Sequence, residues 1–181
     1  MALATAVAAV ALTAGALTSC GAASPATQPR TGTANADSRN HIYAALRRTV
    51  RVLPPAATLS YASSAHRQPF GPALLNPCTD APTANTHQVY ATYWVNGADE
   101  KTATPDIVAA WRSWGWTEAW SRPRTVAYDD GSGYVFTVTD AANGPGGISI
   151  SAVSPCFADP IDPATNDALN AEQPSVFTSR Q

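Results

Sequence analysis

Residues 124–154 read RTVAYDDGSGYVFTVTDAANGPGGISISAVS, three short β-rich runs separated by two glycine-rich turns. Runs of this kind joined by DDGSG and ANGPGG are expected to fold as consecutive antiparallel strands. Within the last run Ile148, Ile150 and Ala152 point one way and Ser149 and Ser151 the other. Such a sheet has one dry face and one wet face, and the dry face must be covered by something else in the chain. An earlier run, THQVYATYWVN at 86–96, has the same period: Val89, Ala91, Tyr93 and Val95 alternate with Tyr90, Thr92 and Trp94. A weaker strand is expected at 57–65, followed by an irregular loop leading to Cys78.

Two amphipathic segments can supply the cover. In 38–53 the residues Ile42, Ala45, Leu46, Thr49, Val50 and Leu53 share one helical face. Asp37 or Ser38 is placed to cap this helix, and Pro54-Pro55 to end it. Arg47, Arg48 and Arg51 lie off that face, either as a solvated flank or facing anionic lipid. In 104–115 the spacing predicts a second helix, with Thr104 as N-cap, Pro105 at its first position and Gly115 closing it. Ile107, Val108, Trp111 and Trp114 form its apolar stripe. The expected architecture is therefore α+β: a two-layer sandwich with two helices packed on one face of a mostly antiparallel sheet.

The amino terminus has a different character. Residues 2–16 carry no charge and would span about 22 Å as a helix, short against a hydrocarbon core of about 30 Å. Length and small residues fit the apolar region of a signal peptide, although no Lys or Arg precedes it. Whether Met1 is the true start is left open by that missing charge. Leu17-Thr18-Ser19-Cys20 then resembles the lipobox of bacterial lipoproteins, an aliphatic residue and two small ones before a cysteine. With alanine-rich, arginine-over-lysine usage, a Gly-Trp after a helix and a late Ser-Pro-Cys, the chain is similar in style to small lipoproteins of actinobacteria. The resemblance implies diacylglycerol attachment at Cys20, cleavage just before it, and anchoring on the extracytoplasmic face of the cell membrane. An ordinary secretory signal with no role for Cys20 is the competing reading.

On this reading residues 1–19 are the signal peptide, 20–36 the lipidated cysteine and a flexible tether, 37–156 the α+β domain, and 157–181 an acidic, proline-punctuated tail with at most a short helix from Asp162-Pro163 through Leu169. Setting Cys20 aside leaves Cys78 and Cys156 as an even pair in an oxidising compartment, where a disulfide persists. Free buried thiols are the alternative, and no metal-ligand spacing is present.

The net charge of −2 excludes a nucleic-acid binder that works through electrostatics. No GxSxG, HExxH, P-loop, GxGxxG or EF-hand pattern occurs, so no catalytic residue, metal or cofactor is assigned. His41, His66 and His87 are scattered. Four of the five tryptophans stand within 111–120. Trp111 and Trp114 are expected in the core, and Trp94, Trp116 and Trp120 form a candidate ligand platform, since exposed indoles stack on sugars and pack on acyl chains. Trp116 and Trp120 share parity and would share a face of an extended strand. The expected function is a non-catalytic envelope lipoprotein that binds a lipid, a glycan or a protein partner. The alternatives are a cell-wall hydrolase with a cryptic site, in which His66 or His87 would meet a serine and an aspartate, or a purely structural surface protein.

Overall fold

The computed structural model describes residues 34–62, 70–71, 73–78, 86–140, 147–158 and 163–180. The signal segment, Cys20, most of the expected tether and His66 lie outside these. The elements run α1 (Ala34–Val50), β1 (Thr58–Ser60), β2 (Leu74–Pro77), β3 (His87–Asn96), α2 (Glu100–Ser113), β4 (Thr117–Arg122), β5 (Thr125–Asp129), β6 (Val135–Asp140), β7 (Ile148–Val153), α3 (Pro163–Ala171) and β8 (Val176–Thr178). All eight strands join one antiparallel sheet in the order β4-β5-β6-β7-β3-β1-β8, with β2 pairing the first half of β3 beside β1.

The α+β architecture is as the alternation requires. Val89, Ala91 and Tyr93 of β3, Phe136 and Val138 of β6, and Ile148, Ile150 and Ala152 of β7 are buried on one face. The helices α1 and α2 cover that face: α1 brings Ile42, Leu46, Val50 and the following Leu53, and α2 brings Ile107 and Trp111. The two helices are joined where the Trp111 indole donates to Thr49 Oγ1 at 3.0 Å, whose own hydroxyl donates to the Ala45 carbonyl.

Both helix starts differ from expectation. α1 begins at Ala34, so Asp37 lies in its first turn, Ser38 is buried within it, and residues 34–36 belong to the fold rather than the tether. α2 begins one turn before Thr104. Asp99 is the N-cap, accepting from the Lys101 N–H, and Pro105 stands inside the helix. The added turn buries Ala103 completely, which favours the longer helix. Gly115, at φ +82°, follows the helix as expected.

The loop expected before Cys78 contains β2, paired with Tyr90–His87 of β3. The expected C-terminal tail is also folded. α3 leads into β8, which extends the sheet beyond β1 and places Phe177 in the core, edge-on to Tyr93 at 5.0 Å. This segment is held by a polar seam that composition does not reveal. Gln173 accepts from the Ala73 N–H at 2.6 Å, donates to Tyr93 Oη at 3.2 Å and meets the Arg39 guanidinium at 3.4 Å. Tyr93 Oη also lies 2.8 Å from Tyr61 Oη and donates to the Pro174 carbonyl. Burial raises the pKa of Tyr61 and Tyr93, keeping both phenols protonated.

Cys78 and Cys156 form a disulfide with Cα atoms 6.2 Å apart. It ties the end of β2 to the chain leaving β7 and closes a long loop, worth about 4.5 kcal/mol by the chain-entropy estimate.

Candidate functional site

The second face of the sheet has neither α1 nor α2 on it. Its surface follows from strand register, because residues directly opposite one another share a face. One row runs Thr92, Ser151, Thr137, Ala127 and Trp120 across β3, β7, β6, β5 and β4. The neighbouring row runs Trp94, Ser149, Thr139, Thr125 and Arg122. The stretches from Thr92 to Ala127 and from Trp94 to Thr125 carry no charged side chain. Hydroxyls dominate them, and several bond one another: Thr92 Oγ1 to Ser151 Oγ at 3.0 Å and Tyr90 Oη to Ser151 Oγ at 3.3 Å.

At the β3 end this face becomes concave. Phe70 stacks on Trp94 with ring centres 4.5 Å apart. Phe70, Gly71, Leu74, Tyr90 and Thr92 line a pocket of about 160 Å³. Leu74 is 55% exposed, the most exposed of the large apolar side chains among the described residues. The pocket is smaller than the several hundred Å³ that enclose a drug-sized molecule, so it suits one ring or one chain end.

The three platform tryptophans separate. Trp94 is at the pocket. Trp120, 41% exposed with the Arg122 guanidinium over its ring, lies on the same face four strands away, about 19 Å at the usual strand spacing. Trp116 is on the other side of the sheet, stacked on Phe136 at 4.7 Å and packed against Trp111 and Trp114. The reason is a β-bulge between Glu118 and Trp120 in β4. The extra residue reverses the side-chain parity, so Trp116 and Trp120 do not share a face. Trp111 is fully buried and Trp114 half-buried, with Arg48 over the Trp114 ring at 3.9 Å. Arg47 lies over Phe177 in the same way. These two arginines therefore lie over aromatic rings.

The histidines give a different constellation from the one a hydrolase reading needs. His87 Nδ1 is buried without a hydrogen bond. His41 instead contacts Asp130 through Nε2 and stacks on Tyr134 with ring centres 3.9 Å apart. The Asp130 carboxylate also accepts the Ser132 and Tyr134 backbone N–H groups. Ser38, one turn before His41, takes its hydrogen bond from Tyr134 Oη at 3.4 Å. The pair fastens α1 to the β5–β6 turn, and among the described residues no serine hydroxyl bonds to His41. Among the described residues no group of His, Cys, Asp and Glu has the geometry of a metal site.

No protein-family model, no curated protein and no solved structure matches the chain.

Proposed function

We propose that this chain is a lipid-anchored, extracytoplasmic binding domain, not an enzyme, that takes an uncharged ligand on the helix-free face of its sheet. The observation that carries this reading is the pocket walled by Phe70 and Leu74, with Trp94 stacked behind Phe70. The hydroxyl rows leading from it toward Trp120 offer many weak donors and acceptors and no counter-charge. That chemistry favours a neutral, hydroxyl-bearing chain such as an envelope glycan, one ring seated in the pocket and the rest laid along the rows. An acyl chain would find a polar floor there and lose the gain of burial.

The anchor at Cys20 rests on the lipobox and is supported by the Cys78–Cys156 disulfide, a bond suited to an oxidising compartment. Metabolic labelling with a fatty-acid analogue should be lost in Cys20→Ala. The ligand reading is tested by titrating neutral cell-wall glycan fragments, and separately neutral lipid vesicles, while following tryptophan fluorescence. The expected result is a saturable change with glycan that disappears in Trp94→Ala and weakens in Trp120→Ala. No change with any glycan, or a change that survives Trp94→Ala, removes the support for this face.

A further inference from the structure

We propose that the buried Arg39 guanidinium is the receptor for the carboxylate of a small ligand, seated beneath α3 and separate from the open sheet face. Arg39 is only 2% exposed. Its partners are three neutral amide oxygens: Asn35 Oδ1 at 2.9 Å, Asn166 Oδ1 at 3.0 Å and Gln173 Oε1 at 3.4 Å. Among the described residues no carboxylate pairs with it; the ion pairs there belong to His41, Arg112 and Arg124. A guanidinium has five N–H donors, so these bonds leave one on each terminal nitrogen. A buried charge without a counter-charge is costly, and a protein that keeps one has a use for the missing partner.

A second group points the same way. Tyr43 stands one helical turn beyond Arg39, and its hydroxyl is buried with no hydrogen bond. Burial raises its pKa while Arg39 pulls the other way, so the phenol is a neutral donor beside the cation. Two N–H groups on one planar fork and a nearby O–H form a donor set for a planar monoanion. A carboxylate matches one guanidinium in charge and in bidentate geometry. A phosphate dianion would leave one negative charge unmatched, because Asn35, Asn166, Gln173 and Tyr43 are all neutral.

The route in is α3. It reaches Arg39 through Asn166 yet buries none of its own residues. Lifting it breaks few contacts and uncovers Arg39, whereas β8, anchored by Phe177, stays in place.

The test uses the full chain and acetate as probe, with phosphate and chloride at matched ionic strength. Acetate should raise the melting temperature by about 3 °C or more with saturation, phosphate and chloride should not, and Arg39→Met should abolish the response. Should Arg39→Met fail to fold, the Arg39 Nε–H resonance of the wild type supplies the readout, and it must shift on acetate addition. Tyr43→Phe should weaken the response at least several-fold. An equal response to all three anions, an unchanged response in Arg39→Met, or a stationary Arg39 resonance would overturn the proposal. Asp159 and Asp162 precede α3 in the sequence. If Asp159→Asn or Asp162→Asn creates an acetate response that the wild type lacks, the carboxylate belongs to the chain itself and the proposal fails.

Discussion

His41 Nε2 lies 2.5 Å from Asp130 Oδ2, joining the first helix to a hairpin turn 89 residues away. The carboxylate is almost buried, 5% exposed against 39% for the imidazole, and its other oxygen organises the turn. Asp130→Ala removes both functions and should cost about 2 kcal/mol, whereas His41→Ala removes one and should cost about 1 kcal/mol. A double-mutant cycle in urea should show that the two losses are not additive. Independent, additive losses would mean that the pair is not coupled.

The C-terminal strand contributes to stability far more than the helix before it. Phe177 is fully buried between Tyr43 and Tyr93, while Leu169 on α3 is only partly covered. Phe177→Ala should destabilise by about 3–4 kcal/mol and Leu169→Ala by less than about 1 kcal/mol. Equilibrium denaturation distinguishes them, and comparable losses would contradict the burial of β8.

Stability should fall at high pH. Tyr61 and Tyr93 are held protonated in the folded chain, with pKa raised above the ordinary value of 10.0 by burial first. The unfolded chain releases these protons near pH 10, where the folded chain does not. Their contribution is therefore complete below about pH 10 and declines steadily above it. Unfolding free energies from about pH 8 to 11.5 should show this decline, reduced in Tyr93→Phe. A flat profile, or an identical slope in the variant, would count against it.

Two turn glycines should respond differently to alanine. Gly97 has φ +71°, and a Cβ there would meet the Ala56 carbonyl oxygen at 2.7 Å. Gly115 has φ +82° with open space around it. Gly115→Ala should cost about 1 kcal/mol, the left-handed backbone penalty alone, and Gly97→Ala at least twice that. Thermal unfolding of the two variants decides the order.

The period-two runs and the α1 stripe were legible because alternation and helical spacing are local properties of the chain. Val89 to Tyr93, Ile148 to Ala152 and Ile42 to Leu53 all bury as their patterns require. The failures arise where tertiary contact outweighs local preference. Thr104-Pro105 is a good helix start, but an earlier start buries Ala103. Four residues between Trp116 and Trp120 imply one face, and a single bulge reverses that. Arg39 and Gln173 are ordinary polar residues in sequence and become a buried seam only when residues 134 apart are brought together. The candidate site was half visible: Trp94 was singled out by composition, but Phe70 and Leu74 stood in what read as an irregular loop.

The β8 strand lies beside β1, so the last residues of the chain complete the sheet against a strand near its beginning. Contacts this distant in sequence make folding slow, since a long loop must close before they form. A chain arranged in this way cannot finish its core while its end is still being made. It remains threadable until release, and only then does Phe177 arrive to close the structure.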